Sequence, residues 1–564
     1  MGLKKIILAA ASIVFLLSAC SIFPNNVEET TTFEPMAGVT QAESGGLILP
    51  SSDATITATP FQPVANPDLI YWSPAVPQEW VQTFSTLNEA TDFTSSDLSL
   101  TAFKNVTGEM VFGVFQRVFA VVAAFPTATD NICLGEIQAI WNGNVPAGQE
   151  FTKLVMTEST RDVFAEFWES APSDMVSTMS QDSLVTRVWE ATDTLALVPF
   201  GDIEPRFKVL HVDGISPLDR PMDATKYGLT VTYTLAGTSA AGIDHAIEID
   251  QLLSTIPATN RDETKMTVVL MTGTTALARV TLRKIDLNGY EYPIELVKDW
   301  FLSADLRHVS NEVSFQEGCV YTDPYTMQFC SKPDQIKVLE NIGINVVEST
   351  GNHMNDYPGD HFAQTLQMYQ DRGWLNFGGG FNAETAKLSV TTEVNGNRIA
   401  FIGCNKVGFE TVWATETRAG AAKCDYDYFN QQISELKSQG YVVIATFQYD
   451  EISLPMYDET YRVPFKNAAN AGADIVQGSQ AHVPMGFEFV GDNLIHYGLG
   501  NFLFDQMEPE NIREFYDRHI IYDGKYIGTE LLAATLTDWS RPVPMNEADR
   551  QSFLEEIFDA SHMR

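Results

Sequence analysis

Basic residues are scarce in this chain. Its 564 residues include 35 Lys and Arg against 73 Asp and Glu, which gives a formal net charge of −38. An acidic surface repels phosphate backbones, so the composition excludes a basic nucleic-acid binder and we expect no nucleic-acid partner. Hydrophobic residues make up 45% of the chain, which excludes a disordered protein. At roughly 150 residues per domain, the length predicts at least two hydrophobic cores.

Apolar runs of membrane-spanning length are also lacking. The run Ile6 to Leu17 is too short to span a bilayer, and it follows Lys4 and Lys5, as in a signal peptide. It ends in Leu17-Ser18-Ala19-Cys20, which resembles the bacterial lipobox. The resemblance implies a signal peptide over residues 1–19 and lipidation of Cys20, with an ordinary secretory peptide as the alternative. We therefore expect a lipid anchor in the cell membrane, with the protein on the extracytoplasmic face.

Little in the next segment could form a core. Residues 20–67 are rich in Thr, Ser, Pro, Glu and Gly, a composition that cannot offset the entropy cost of ordering the chain. The segment is interpreted as a flexible, lipid-anchored stalk.

Cysteines are few, and none has the C-x-x-C spacing of a zinc site. Outside the cytoplasm, thiols can pair. With Cys20 lipidated, the economical pairs are Cys319 with Cys330 and Cys404 with Cys424, which are 11 and 20 residues apart, and Cys133 is left over. The sequence alone leaves other pairings open.

Residues 68–237 alternate β-rich runs with helical patterns, which indicates an α/β fold. A set of short motifs resembles, in the same order, the phosphate-type periplasmic substrate-binding proteins: Phe125-Pro126-Thr127, Leu134 to Gly143, Val155 to Asp162 and Ala196 to Phe200. That family binds an oxyanion at a Ser-Gly-Thr turn, where this chain has Glu158-Ser159-Thr160. The Glu158 charge disfavours an anion, so we expect Ser159 and Thr160 to cap a helix, with phosphate binding as the alternative. Residues 238–264 follow as a linker with one short helix, Ala246 to Ile256.

In residues 265–560, successive apolar strand patterns end in polar side chains. These segments are His308 to Glu312, Val346 to Asp356, Val442 to Glu451, Asp474 to His482 and Leu494 to Phe502. Strand ends of this kind hold the sites of α/β folds. The segments and their order resemble the CapA family of capsule-synthesis proteins, whose domain is similar to the calcineurin-type metallophosphoesterases. The two resemblances together imply an α/β protein with an N-terminal substrate-binding-protein-like domain and a C-terminal calcineurin-like α/β sandwich. The resemblance to CapA also implies a partner that is a poly-γ-glutamate capsule or another exopolymer.

The metal ligands implied by this resemblance are incomplete. Metallophosphoesterases hold two divalent ions with carboxylate, Asn and His ligands. The family pattern has Asp where this chain has Thr274, and His where it has Gln448 and Gln480, so three good ligands are replaced by weaker ones. The ligand candidates that remain are Glu312, Asn352, His353 and His482. We expect them to hold at most one divalent metal ion.

Two functions stay open on this evidence. A metal-dependent hydrolase or transferase would use His353, His482 and Glu451 as catalytic groups. A non-catalytic surface protein that binds a polymer or an anion would instead use the amides of Gln448, Gln480 and Asn501, which can hydrogen-bond to an amide-rich or sugar polymer.

The lipid anchor gives the first testable prediction. Cys20→Ser should release the protein from the membrane fraction, because this thiol is the acylation site that the lipobox offers. Cell fractionation with a carbonate wash and immunoblotting measures the release, and Ser21→Ala is the control that should stay with the membrane. If the Cys20→Ser protein still sediments after the wash, the lipoprotein assignment is wrong.

Overall fold

The computed structural model describes residues 69–563, apart from residues 92, 95, 103–108 and 456–458. The predicted signal peptide, the lipidation site Cys20 and the stalk lie outside the described residues. Within this range, none of the helices combines the length and the apolar character needed to cross a membrane.

Residues 70–237 contain a mixed eight-stranded sheet. Its region contains β1 (Ile70–Trp72), α1 (Gln78–Thr83), β2 (Leu98–Thr101), β3 (Met110–Ala124), β4 (Asn131–Ile132), α2 (Leu134–Trp141), β5 (Lys153–Met156), α3 (Glu158–Phe167), β6 (Val176–Thr178), α4 (Gln181–Glu190), β7 (Thr194–Pro199), β8 (Phe207–Val209), β9 (His211–Val212) and β10 (Thr230–Gly237). The strand order is β1-β2-β10-β3-β7-β5-β6, with β8 beside β3. Strand β5 pairs in parallel with β6 and β7, whereas β3 is antiparallel to β7 and β10.

Helix α3 begins at the predicted turn, but with a different cap. Thr157 is its N-cap, and its Oγ1 accepts a hydrogen bond from the Thr160 backbone N–H at 3.2 Å. Because Thr157 keeps an extended backbone while Glu158 is already helical, Ser159 and Thr160 lie inside the first turn. The prediction that these two residues cap the helix is therefore wrong.

Two helices, α5 (Ser239–Asp244) and α6 (Ala246–Thr255), connect this sheet to the next part of the chain. Helix α6 is the predicted linker helix and ends one residue earlier than expected. Helix α5 was missed because its Ser-Ala-Ala-Gly start has little apolar periodicity. Its N-cap, Thr238, accepts a hydrogen bond from the Ala241 backbone N–H at 3.1 Å.

The second part of the described chain contains a second eight-stranded sheet, a six-stranded sheet and the two-stranded pair of Gly379–Gly380 with Gly420–Ala421. Its elements are β11 (Met266–Thr272), β12 (Thr274–Thr275), α7 (Arg279–Asn288), α8 (Lys298–Leu302), β13 (Leu306–Asn311), α9 (Ile336–Asn341), β14 (Val346–Glu348), α10 (His361–Asp371), β15 (Leu375–Phe377), β16 (Gly379–Gly380), α11 (Ala383–Ala386), β17 (Val390–Val394), β18 (Asn397–Asn405), β19 (Gly420–Ala421), α12 (Tyr426–Ser438), β20 (Val442–Gln448), α13 (Glu459–Ala471), β21 (Ile475–Gly478), β22 (Phe487–Val490), β23 (Asn493–His496), β24 (Arg513–Tyr522), β25 (Lys525–Thr537), β26 (Arg541–Pro544) and α14 (Glu547–Ala560). One sheet has the order β15-β14-β13-β11-β24-β25-β26, with β12 beside β13, and the other has the order β17-β18-β20-β21-β23-β22.

Alternating side chains of the central strands build four layers. In β11, Leu270 packs on the helix side of its sheet, whereas Val269 packs between the two sheets. In β20, Ile444 packs between the sheets and Val443 packs against α12 and α13. Because successive side chains of a strand point to opposite faces, each sheet is covered on both sides. The predicted α/β fold class is confirmed.

Both predicted disulfides are present. Cys319 pairs with Cys330 and Cys404 pairs with Cys424. Cys133 is also disulfide-bonded, so the expectation that it is left over is wrong.

Loss of the Cys404–Cys424 disulfide should destabilise the fold. The bridge closes a loop of 20 residues, which corresponds to about 3 kcal/mol of unfolding free energy in the chain-entropy model. Urea unfolding of Cys404→Ser/Cys424→Ser, followed by tryptophan fluorescence, measures the change. With dithiothreitol present, the free energies of unfolding of wild type and variant should differ little. This control separates the effect of losing the disulfide from the effect of replacing two buried cysteine side chains with serine. An unchanged free energy of unfolding without dithiothreitol would contradict the prediction.

Candidate functional site

Parallel strands of both large sheets bring their carboxyl ends to one edge. Strands β11, β13, β14 and β15 run parallel in one sheet, and β18, β20, β21 and β23 run parallel in the other. The two edges are joined by hydrogen bonds, since the Asn405 side-chain amide donates to the Thr350 carbonyl at 2.6 Å. The polar strand ends of the sequence therefore meet in one place.

Gln448 lies at the centre of this edge. Its Nε2 is 3.2 Å from Glu312 Oε1 and 3.0 Å from Asn352 Oδ1, and it also donates to Gln480 Oε1. Both Glu312 and Gln448 are only 1% exposed. Three side-chain oxygens thus converge on one amide nitrogen. The structure brings together Glu312, Asn352, Gln448 and Gln480, which we call the amide cluster.

Beneath the amide cluster lies a polar floor that the sequence reasoning missed. Ser479 Oγ lies 3.1 Å from Gln448 Oε1 and 2.7 Å from Glu348 Oε1, and the Thr350 hydroxyl donates to the same carboxylate at 2.5 Å. Glu348 Oε2 is 3.4 Å from His308 Nε2. The available signal was a carboxylate at the end of a buried strand, Val346 to Glu348, where a polar side chain needs a partner.

His353 forms a dyad with Asp356, whose Oδ2 is 2.7 Å from His353 Nδ1. Burial opposes protonation, but the hydrogen bond to Asp356 and the negative charges of Glu312 and Asp356 outweigh burial and the repulsion by Arg279, and they raise the pKa of His353 above its ordinary 6.5. The electrostatic influence of Glu312 ties this dyad to the amide cluster.

His482 is held by Asn501, whose Oδ1 is 2.7 Å from His482 Nδ1. The Asn501 amide also donates to Gln506 Oε1 and to the Asn511 carbonyl, each at 3.2 Å. The structure thus places Asn501 behind His482, where it orients the imidazole. Glu451 is exposed in the loop after β20, outside the amide cluster.

Aromatic rings join the two histidines. The Phe329 ring centroid is 4.1 Å from that of His353, and the Phe504 centroid is 4.7 Å from that of His482. The Arg279 Cζ atom lies 4.5 Å from the centroid of the Phe329 ring. The Arg279 Nε donates a hydrogen bond to Asp505 Oδ1 at 2.9 Å. These contacts form a fixed wall on one side of the site.

Two glycines allow the strand ends to approach closely. A Cβ at Gly351 would lie 2.5 Å from Glu312 Cα, and a Cβ at Gly273 would lie 1.9 Å from the Gly500 carbonyl oxygen. Any larger residue would push Asn352 away from Glu312 or open the contact of β12 with Asn501. At Thr274, where the family pattern has Asp, the hydroxyl donates to the Ser479 carbonyl at 2.6 Å.

The donor set does not fit a centre with two transition-metal ions. In the part of the chain that the structure describes, no group of three or more His, Cys, Asp or Glu side chains is arranged to hold a metal ion. Glu312 is the one carboxylate of the amide cluster, and neutral amide oxygens are weak ligands for such ions. The oxygens that converge there already accept hydrogen bonds from Gln448.

Comparison with known proteins relates this region to capsule synthesis. Residues 268–506 match the family model described as bacterial capsule synthesis protein PGA_cap. The chain is 26% identical over 265 residues to the capsule biosynthesis protein CapA of Bacillus anthracis, covering 44% of this chain and 62% of that protein. It is 25% identical over 237 residues to the PGA biosynthesis protein CapA of Bacillus subtilis strain 168, covering 42% of this chain and 62% of that protein. The chain thus spans about three fifths of the length of these curated relatives.

Solved structures give only distant likenesses. An ABC-type phosphate transport receptor from Vibrio cholerae is 12% identical with a TM-score of 0.27, covering 33% of this chain and 93% of that chain. A 5'-nucleotidase precursor from Thermus thermophilus is 12% identical with a TM-score of 0.29, covering 51% of this chain and 58% of that chain.

The His353–Asp356 dyad predicts a pH-dependent stability. Asp356→Asn should lower the pKa of His353, because it removes a negative charge while keeping an oxygen for the imidazole. Since the pKa of His353 in the folded protein lies above 6.5, its contribution to the unfolding free energy is fully present below that pH and is lost as the pH rises through the folded pKa. The stability difference between wild type and variant should therefore be largest at acid pH.

NMR titration of the His353 ring and urea unfolding across pH measure these two effects. Asp360→Asn, at an exposed carboxylate nearby, is the control that should leave the pKa of His353 unchanged. An equal pKa in wild type and Asp356→Asn would contradict the assignment of the dyad.

Proposed function

We propose that this chain acts in capsule biosynthesis by binding a capsule polymer at the amide cluster, because residues 268–506 match the family model described as bacterial capsule synthesis protein PGA_cap. It does so as a lipid-anchored protein at the extracytoplasmic face of the cell membrane. The polymer that the family resemblance implies is poly-γ-glutamate. The proposal covers polymer handling and does not require a two-metal centre.

The observation that carries this proposal is the Gln448 amide at the meeting point of three oxygens. Side-chain amides donate and accept hydrogen bonds, so they match the amide groups of a polyamide chain. An incoming polymer amide can replace one of the hydrogen bonds that Gln448 makes to Asn352 or Gln480 without leaving a buried group unpaired. The same exchange is open to the hydroxyl groups of a sugar polymer.

A second candidate function is a transfer or hydrolysis reaction on the same polymer. It is favoured by the raised pKa of His353, because a protonated imidazole can supply a proton to a leaving group. With Asp356 bound at Nδ1, the proton on Nε2 is the one available for transfer. A single divalent ion, the most that the sequence predicts, would be held by Glu312 and Asn352 with His482, and it would polarise the bond under attack.

Binding of poly-γ-glutamate oligomers to the full chain, measured by isothermal titration calorimetry, tests the proposal. Gln448→Ala and Gln480→Ala should each weaken binding about tenfold, the loss expected for a hydrogen bond in a buried site. Gln439→Ala, at an exposed glutamine after α12, is the matched control and should bind like wild type. Shortening of the polymer during the titration would favour the second candidate.

Elemental analysis of protein purified without chelator accompanies the titration. At most one equivalent of divalent metal is expected, since the amide cluster offers one carboxylate. Two equivalents of metal together with rapid phosphodiester hydrolysis, or wild-type protein that binds no oligomer, would overturn the proposal.

A further inference from the structure

We infer that the two disulfide-closed loops at the site, residues 319–330 and 404–424, form an aromatic rim that binds the polymer outside the amide cluster through Tyr325 and Phe409. We call these segments the rim loops. The inference rests on the proposed function and adds a surface that a long polymer contacts and a short one does not reach.

The first rim loop is fixed against the His353 dyad. The Phe329 backbone N–H donates to Asp356 Oδ2 at 2.8 Å, and the Phe329 ring packs on His353. Arg279 Nη1 donates to the Thr326 carbonyl at 3.1 Å. Tyr325, the residue before Thr326, is nevertheless 88% exposed. Its backbone is held beside the site while its side chain remains open to a ligand.

The second rim loop is fixed against the amide cluster. The Asn355 side-chain amide donates to the Thr411 and Ala419 carbonyls, each at 3.0 Å. A Cβ at Gly408 would lie 3.4 Å from the Asn352 Cβ, so the loop touches the amide cluster at this point. Phe409 follows Gly408 and is 85% exposed.

The exposed apolar residues of this region concentrate on the rim loops. Val320 and Met327 of the first loop are 65% and 69% exposed, on either side of Tyr325 in the chain. Apolar groups gathered in one exposed place around a polar site are typical of a ligand-binding surface. Aromatic rings suit this role because they offer a large rigid contact area to methylene groups.

The rim loops are neutral in a strongly acidic chain, so they repel an anionic polymer less than the chain as a whole. Together they have three basic residues, Lys406, Arg418 and Lys423, and three acidic ones, Asp323, Glu410 and Glu416, whereas the net charge of the chain is −38. Lys406 is paired with Asp450, so Arg418 and Lys423 are the cations that we assign to an anionic polymer. Lys423 Nζ lies 4.3 Å from the Trp413 ring centroid. An extended polyamide with carboxylate side groups can place its methylene groups on the rings and its carboxylates near these cations.

The test is a length series of poly-γ-glutamate oligomers titrated into the full chain. Wild-type affinity should rise with oligomer length until both rim loops are engaged. Tyr325→Ala/Phe409→Ala should bind the shortest oligomers like wild type and the longest about tenfold more weakly, a loss typical of removed aromatic contacts. Tyr325→Phe/Phe409→Tyr, which keeps both rings, should retain wild-type affinity.

The matched control is Ile243→Ala/Ile247→Ala, which removes side chains that are 81% and 73% exposed on α5 and α6. It should leave the length series unchanged. If the affinities of the Tyr325→Ala/Phe409→Ala variant match those of wild type at every oligomer length, the inference of a polymer-binding rim is overturned. The proposal that the amide cluster binds the polymer is then unaffected. If wild type binds no oligomer of any length, the proposed function fails and the rim fails with it. Analytical ultracentrifugation is a further check. If the wild-type protein self-associates and the Tyr325→Ala/Phe409→Ala variant is monomeric, the loops serve self-association and the inference is overturned.

Discussion

Burial of the Glu312 carboxylate is the constraint on which the strand-end site depends. A carboxylate removed from water requires hydrogen bonds in compensation, and leaving it without them is costly. Gln448 supplies one at 3.2 Å to Oε1, and Oε2 has no partner among the described side chains. Any motion of Gln448 away from this position would therefore leave both carboxylate oxygens without a side-chain hydrogen bond from the described residues. The same amide nitrogen also donates to Asn352 and Gln480. The hydrogen bond that Glu312 requires therefore also fixes the positions of these two side chains.

The constraint extends below the site into the layer between the sheets. Ser479 links Gln448 to Glu348, and Gln477, two residues earlier on β21, donates to Asp517 at 2.9 Å. Asp517 in turn lies 2.6 Å from His496, and both residues are fully buried. Hydrogen bonds in a low-dielectric interior are stronger than those in water, so the contacts of this layer help to hold the strands that carry the amide cluster in one register.

Local spacing explains which features could be predicted from the sequence. Polar residues directly after apolar runs predict the strand-end site, and cysteines 11 and 20 residues apart predict both bridges, because each signal lies within one short segment. Gln448 and Glu312 are 136 residues apart, and no periodicity indicates that their side chains meet. The position of Asn501 behind His482 is likewise set by tertiary packing. The N-cap of α3 differs for a smaller reason, since Thr157, Ser159 and Thr160 could each begin that helix and the backbone conformation decides between them.

The two bridges also bear on when the site matures. Thiols stay reduced in the cytoplasm and pair in an oxidising compartment. Before oxidation, the segments 319–330 and 404–424 are tied to the body of the fold by non-covalent contacts, which include the pairing of β19 with β16. The sheets and the amide cluster can thus form from hydrophobic burial and backbone pairing before oxidation, whereas the covalent closure of these two loops requires the oxidising compartment that the proposed export would provide. The loops that we propose as the polymer-binding rim are therefore the last part of the site to be closed covalently.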